Sequence, residues 1–171
     1  FEPTKEEAQQ LSDQINAFDG FSIVKKEVKN AKKNPPLLHS LTTLQQEANN
    51  LYGISAAKTL ELAQELYEKE KAISYPRTDS NHMSESSVDM VTDIVNQLSL
   101  QVDIQPSSAG KRVFDDSKLT DHYALVPLKK YTGEGDKAKI YALILRKFHG
   151  VFLNPLEEEK TEILTQKDKY I

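Results

Sequence analysis

Apolar residues recur every three or four positions in the first segment of the chain, which is the pattern of a helix with one buried face. Thr4 and Glu7 have the form of a capping box, so we predict a helix over about residues 5 to 17. The next stretch, FSIVKKEV, alternates apolar and charged residues, as a strand with one solvent-exposed face does. A lysine-rich segment and Pro35-Pro36 follow, and because proline removes backbone donors, KNAKKNPP is predicted to break the regular structure.

The middle of the chain carries helix signals throughout. Two helices are predicted from Thr42 to about Lys69, with Gly53 as a left-handed stop between them and Ser55 as the cap of the second. Such a pair with a short turn is a helix-turn-helix unit, which either presents a helix to DNA or packs as an antiparallel pair in a helical core. The spacing of the apolar residues fits both the DNA-binding unit and the antiparallel core pair. Ser84 is the candidate cap of a further helix.

The last third of the chain combines irregular segments with one helix and one strand. Residues 99 to 136 are predicted to be irregular, with a loop at PSSAG and a short apolar run in TDHYALVPL. A final helix is predicted around residues 140 to 148, and EEEKTEIL after Pro155 alternates like a strand. Strands lie near both ends and helices fill the middle. We therefore predict an α+β fold that is predominantly α, with the middle inserted between two parts of another unit.

The composition limits the class of protein. A chain of 171 residues with 38% hydrophobic content is long enough to bury a core. No stretch approaches the roughly 18 apolar residues that cross a bilayer, so a soluble protein is predicted. The absence of cysteine excludes disulfides, thiolate metal sites and a cysteine nucleophile, and fits a reducing cytoplasm. Because His39, His82, His122 and His149 include no pair at i, i+4, a metal site made by this chain alone is not expected.

The charge pattern argues against a generic polyanion binder. The formal net charge is −4, but it averages a lysine block around residues 25 to 33 and a glutamate block at residues 157 to 159. Charge runs of this kind are typical of solvated faces. The sequence therefore predicts no surface that is basic all over.

The stretch ISYPRTDS, residues 73 to 80, concentrates side chains that are able to act on a phosphate. A tyrosine hydroxyl, with a pKa of about 10, is a poor nucleophile unless a neighbour stabilises the charge that grows on its target. Arg77 could do so, because its forked donors match phosphate oxygens. Pro76 favours an extended backbone before it, which points Tyr75 and Arg77 to the same side. A half-buried tyrosine and a local ion pair between Arg77 and Asp79 remain the plain alternatives.

Three separated segments resemble the type IA DNA topoisomerases, closest to the bacterial topoisomerase III branch. The segments are PPLLHSLTTLQQEANNLYGISAAKTLELAQELYE, ISYPRTDS and SKLTDHYALVP. They follow one another in the order and with the spacing of the active-site tyrosine region of that family. The resemblance covers about residues 20 to 155 and is weaker at the two ends.

The resemblance implies a role for each matched residue. Tyr75 matches the tyrosine that attacks a DNA phosphodiester and becomes linked to the 5′ phosphate, leaving a free 3′ hydroxyl. Arg77 matches the arginine that holds the scissile phosphate, and His122 matches a histidine that approaches the same phosphate. Many relatives carry a second histidine where this chain has Tyr123, so no role is assigned there. The residues expected to contact DNA are Arg77, Thr78, Asp79, Ser80 and His122.

The resemblance also implies a domain organisation. Residues 37 to 155 are expected to form the domain that bears the tyrosine, with a winged-helix-like helical core. Residues 1 to 36 and 156 to 171 are expected to be two parts of a strand-rich gate domain. The metal-binding carboxylates of the family belong to a Toprim domain with no counterpart here, so no cofactor is expected in this chain and Mg²⁺ is expected only in the full-length enzyme. The chain is then a central piece of a longer, ATP-independent enzyme and is inactive alone.

Three rival interpretations remain open. In a noncatalytic DNA-binding module, the helix-turn-helix would bind DNA and Tyr75 would stack on a base. A tyrosine recombinase would need several separated arginines, whereas this chain has only Arg77, Arg112 and Arg146. A purely structural interaction domain would be supported if Tyr75, Arg77 and His122 lay far apart in space.

Overall fold

The computed structural model describes residues 4–17, 22–102, 104, 110–119 and 121–166. The chain divides into two compact units. The first, the end unit, is formed by the two ends of the chain, and the second, the helical unit, spans Asn34–Pro155. Helices predominate and the described strands form one two-stranded sheet, which confirms the predicted α+β, mostly α, fold.

The end unit begins with α1 (Lys5–Asn16), which starts at the predicted capping box. The Thr4 backbone N–H donates to Glu7 Oε2 at 2.8 Å, and the Glu7 N–H donates to Thr4 Oγ1 at 3.3 Å. Two backbone donors that the helix leaves unpaired are thereby satisfied. Phe18, which continues the helical spacing of Ala8, Leu11 and Ile15 in the sequence, lies outside the described residues.

The sheet of the end unit pairs β1 (Ser22–Lys33) with β2 (Leu156–Gln166) in antiparallel register. The predicted break in the lysine-rich segment is wrong there, because β1 continues through that segment to Lys33. Pairing with β2 keeps it extended and sets the lysine block opposite the glutamate block, with Lys32 Nζ 2.8 Å from Glu157 Oε1. No residue of β1 or β2 is buried, so the single solvent-exposed face predicted for this strand is also wrong.

The helical unit is built around three long helices. They are α2 (Leu41–Tyr52), α3 (Ala56–Glu68) and α6 (Gly135–Val151), and each contacts the other two. The predicted helix pair therefore packs within a helical core. Burying one large aliphatic side chain contributes roughly 1.5–3 kcal/mol. The buried residues that these helices share are Leu44, Ala48, Leu62, Ala63, Leu66, Ile140, Leu143 and Ile144.

A second apolar cluster forms around α4 (Val88–Gln97), whose Val91, Ile94 and Val95 are buried. Ser84 caps a 3-10 turn, Glu85–Ser87, and α4 continues from it, so the α-helix begins one turn later than a cap at Ser84 predicts. The segment predicted to be irregular, residues 99 to 136, contains the single-turn helix α5 (Lys111–Val113), a second 3-10 turn, Asp116–Lys118, and the first two residues of α6. That statement covers its described residues, since the predicted loop at residues 106–109 lies outside them.

Gly53 ends α2 in the left-handed region, with a φ of 66°, as predicted. A Cβ added there would meet no atom within 4 Å, so the backbone conformation is the only source of strain. We expect Gly53→Ala to lower the free energy of unfolding by about 1 kcal/mol, measured by denaturant unfolding of the chain. Gly150→Ala is the matched control, because its Cβ is equally free but its backbone is helical. An equal loss of the free energy of unfolding in both variants would show that the left-handed backbone at Gly53 is not the cause.

Candidate active site

The ISYPRTDS segment is held beside the segment DHYALVP by hydrogen bonds. The Ser74 N–H donates to the Val126 carbonyl at 3.0 Å, and the Leu128 N–H donates to the Ala72 carbonyl at 2.8 Å. The buried Ser74 hydroxyl donates to the Ala124 carbonyl at 3.2 Å and accepts from the Val126 N–H at 3.0 Å. Two motifs that lie 50 residues apart in sequence therefore form one local structure.

Thr78 fixes the far end of the same segment. Its hydroxyl donates to the His122 carbonyl at 3.3 Å, and the Ser80 N–H donates to that hydroxyl at 3.1 Å. Its carbonyl accepts a 2.9 Å hydrogen bond from the N–H of Leu41, the first residue of α2. Thr78 thus connects the tyrosine motif, the histidine segment and the start of a core helix.

The ring of Tyr75 is half-buried between two other aromatic rings. Its centroid lies 4.7 Å from that of His122, with 55° between the planes. On another side it lies 5.5 Å from the ring of Tyr67 on α3, in a T-shaped contact with an angle of 77°. Edge-to-face contacts at these distances stabilise a fixed ring orientation. The phenol of Tyr75 is therefore held next to the imidazole that the sequence assigned to the same site.

Arg77 is exposed, and its guanidinium is hydrogen-bonded to a side chain of α3. Nη2 of Arg77 donates to Oε1 of Gln64 at 3.1 Å. Gln64 and Tyr67 are three residues apart on α3 and therefore share one face of the helix. Since Tyr75 contacts Tyr67 and Arg77 contacts Gln64, the tyrosine and the arginine project to the same side, as their spacing in an extended segment suggested.

A cleft of about 580 Å³ opens beside these residues. Its lining combines a guanidinium, an imidazole, two threonine residues and two carboxylates. It also includes the start of α2, where the helix carries partial positive charge. The lining residues are Leu41, Thr42, Arg77, Thr78, Asp79, Asp121 and His122. Tyr75 does not line this cleft itself, but its ring contacts His122, which does.

The six predicted site residues fall into two groups. Arg77, His122 and the exposed Asp79 line the cleft, and the ring of Tyr75 contacts that of His122. Ser80, in contrast, is only 5% exposed, and its hydroxyl donates to the His82 carbonyl at 3.3 Å. Like Thr78, it shapes the turn through hydrogen bonds with the backbone. The direct DNA contacts of all these residues stay predictions.

The sequence assigned no role to the two α3 residues that contact the site, Gln64 and Tyr67. Both lie in the first of the three family-like segments, but the resemblance gave a role to neither, and the remaining signal is their spacing of three on the helix that precedes the tyrosine segment. It also gave no role to Thr42, which lines the cleft.

A buried histidine lies behind the cleft. The His39 carbonyl accepts from the Leu125 N–H at 2.8 Å, and its Nδ1 lies 3.1 Å from the Thr43 hydroxyl. Burial, reinforced by nearby Lys147 and opposed by Glu47, lowers the pKa of His39 from 6.5 to about 4. Nε2 lies 3.2 Å from Glu47 Oε2, although outside hydrogen-bond geometry. His39 is thus neutral at pH 7. The free energy of unfolding should fall as the pH drops from 6.5 toward 4, because the unfolded chain takes up a proton that the buried ring does not.

Two further features concern metal ligands and helix length in the described residues. No three His, Asp or Glu side chains in this part of the chain are arranged to hold a metal ion. In the same residues, no helix combines the length and apolarity that a membrane span requires.

Comparison with known proteins gives consistent matches. The family model described as DNA topoisomerase matches residues 3–170. DNA topoisomerase 3 of Shouchella clausii is 37% identical over 152 residues, which is 79% of this chain and 20% of that protein. DNA topoisomerase 3 of Staphylococcus haemolyticus is 32% identical over 174 residues, or 94% of this chain and 24% of that protein. This chain spans about a fifth to a quarter of the length of these relatives.

A solved structure resembles the whole chain. The structure of full-length topoisomerase I from Thermotoga maritima matches it with a TM-score of 0.68 and 26% sequence identity. The match covers 98% of this chain and 29% of that one. The likeness therefore extends to both units.

Proposed function

The chain belongs to the type IA DNA topoisomerase family, and from this we propose that Tyr75 is the nucleophile of a longer enzyme that cuts and reseals one DNA strand. The tyrosine hydroxyl loses its proton as its oxygen forms a bond to phosphorus, the bond from phosphorus to the 3′ oxygen breaks, and the 3′ oxygen gains a proton and leaves as a hydroxyl. The product is a 5′-phosphotyrosyl linkage. Attack of the 3′ hydroxyl on this linkage reverses the step, so strand passage, relaxation or decatenation needs no ATP.

The contact of Tyr75 with His122, together with contacts of Tyr75 and Arg77 to one face of α3, supports this proposal most strongly. The ring lies 4.7 Å from that of His122, and Arg77 reaches the same face of α3. A nucleophile, a fixed cation and an imidazole in one place are what attack on a phosphodiester requires, because negative charge grows on the phosphate oxygens in the transition state. This proximity is the opposite of what a purely structural interaction domain would show.

Arg77 and His122 are proposed to hold the scissile phosphate from the cleft. The guanidinium is permanently charged and donates through several N–H groups, so it stabilises the charge that develops on the phosphate. The imidazole contacts the tyrosine ring and lines the same cleft as Arg77, which supports the proposal that it binds the same phosphate. Asp79 on the cleft wall is proposed to organise the motif.

Covalent capture tests the proposal against a noncatalytic DNA-binding module. The full-length protein is mixed with a labelled single-stranded oligonucleotide, denatured, and examined for label that stays attached to protein. The proposed enzyme gives a covalent adduct, whereas a module in which Tyr75 only stacks on a base gives none. A protein that binds the oligonucleotide but never yields an adduct would refute the catalytic role.

The remaining partners are proposed to be other domains of the same enzyme. By family resemblance these include a Toprim domain that carries Mg²⁺, and the described residues of this chain do not form a metal site that could replace it. We therefore propose that the chain supplies the nucleophile and the phosphate clamp, while the metal is held elsewhere. No step above is assigned to the metal. The enzyme is proposed to act on cytoplasmic DNA.

The chain alone is expected to bind single-stranded DNA weakly and to relax no supercoiled plasmid. With about two phosphate contacts, raising the salt from 50 to 200 mM should weaken binding roughly sevenfold, as each contact releases condensed cations. Fluorescence anisotropy with a labelled oligonucleotide measures the first expectation, and an agarose-gel relaxation assay measures the second. Binding that does not depend on salt concentration would contradict the first expectation, and relaxation by the purified chain would contradict the second.

A further inference from the structure

Gln64 makes two side-chain hydrogen bonds of opposite polarity. Its Oε1 accepts from Arg77 Nη2 at 3.1 Å, and its Nε2 donates to Glu68 Oε1 at 3.2 Å. A guanidinium only donates and a carboxylate only accepts, so turning the amide over would lose both bonds. The orientation of this amide is therefore fixed by its two neighbours.

We propose that Gln64 is a positioning residue, which holds the Arg77 guanidinium in place for the scissile phosphate without neutralising its charge. The inference rests on the proposed function of Tyr75 and Arg77. It assigns to α3 a part in the reaction beyond the roles that the resemblance implies for Tyr75, Arg77 and His122.

The surroundings of Arg77 show why a neutral partner matters. Besides the cleft that it shares with His122, the arginine borders a second cleft of about 420 Å³ along α3. Three carboxylates line that second cleft, and an ion pair with any of them would compete with a DNA phosphate. These residues are Glu61, Glu65 and Glu68.

Each of the three carboxylates is already bound by another group. Lys58 Nζ lies 2.9 Å from Glu61, and Lys137 Nζ lies 2.7 Å from Glu65. Glu68 accepts the amide N–H of Gln64 itself. Gln64 thus gives Arg77 an acceptor that carries no charge and at the same time occupies the carboxylate one turn further along α3.

The helix that carries Gln64 is rigidly placed. The opposite face of α3 is buried in the core through Leu62, Ala63 and Leu66. One turn after Gln64, Tyr67 contacts the ring of Tyr75. A single helix face therefore sets the positions of both the nucleophile and the guanidinium, which lowers the cost of ordering them when DNA binds.

One hydrogen bond to Gln64 leaves most of the guanidinium available. Arginine has five N–H donors, and the bond to Gln64 Oε1 uses one of them. The remaining donors can bind phosphate oxygens while the plane of the group stays fixed. Preorganised donors of this kind lower the barrier without a change in ground-state affinity.

The test compares Gln64→Met and Gln64→Glu in the full-length protein. Methionine removes the acceptor, and glutamate keeps an acceptor but neutralises Arg77. At saturating single-stranded oligonucleotide, we expect each variant to lower the rate constant of covalent adduct formation by roughly tenfold, while the Kd for the oligonucleotide stays within about twofold. This split between rate and affinity is what a positioning role predicts.

Gln97→Met and Gln97→Glu are the matched controls, because Gln97 is an exposed glutamine on α4. Both should react at the wild-type rate. A merely structural role for Gln64 would lower the thermal unfolding midpoint in the methionine variant and spare the glutamate variant. A Gln64→Glu protein that forms the adduct at the wild-type rate would overturn the inference. Failure of the wild-type protein to form any adduct would instead overturn the proposed function of Tyr75.

Discussion

Replacing Tyr75 with phenylalanine in the full-length protein is expected to abolish covalent capture of single-stranded DNA and to leave DNA affinity within about twofold. Phenylalanine keeps the ring that contacts His122 and Tyr67 but lacks the oxygen that forms the bond to phosphorus. The variant should therefore fold and bind normally. Label retained on the protein after denaturation measures capture, and fluorescence anisotropy measures affinity.

The control for this substitution is Tyr52→Phe. Tyr52 is an exposed tyrosine at the end of α2, with the ammonium of Lys139 5.5 Å from its ring centre. It loses the same hydroxyl as the test variant but should capture DNA as the wild type does. Undiminished adduct from Tyr75→Phe would show that another group attacks the DNA.

Replacing Arg77 with alanine is expected to lower the rate constant of adduct formation by about 10²- to 10³-fold, the usual effect of removing a preorganised donor to a charged transition state. Arg77→Lys should fall between the alanine variant and the wild type, because lysine keeps the charge but lacks the planar fork that binds two phosphate oxygens. Single-turnover measurements at saturating oligonucleotide separate this loss from weaker binding.

Arg146→Ala provides the matched arginine control. Arg146 is exposed on α6 and pairs with Glu47 of α2. Exposed ion pairs of this kind contribute little to stability, so the control should react within about twofold of the wild type. An Arg77→Ala protein with the same rate as this control would contradict the assignment of Arg77 as the phosphate clamp.

Local signals in the sequence predicted the helices well because caps and stops depend on residues three or four positions apart. Thr4 with Glu7 starts α1, and Gly53 ends α2, as expected. The length of β1 was not predictable in this way. Its lysine-rich end stays extended only because β2, more than a hundred residues later, pairs with it.

The candidate site shows the same difference between local sequence signals and long-range contacts. The proposed chemistry could be inferred from the motif around Tyr75 and Arg77, since those residues lie within three positions of each other in the sequence. Their supports are not adjacent: Arg77 meets Gln64, 13 residues earlier, and the histidine segment is fastened to the motif through Ser74, 50 residues from its partner Ala124. Such contacts depend on the path of the folded chain, which neither composition nor spacing records.

Mass spectrometry of the trapped adduct tests the central claim most directly. After digestion of the denatured complex from the full-length protein, the account predicts a nucleotide joined through its 5′ phosphate to the peptide that contains Tyr75, and a released DNA fragment with a free 3′ hydroxyl. A nucleotide on any other residue, or a linkage through a 3′ phosphate, would contradict it.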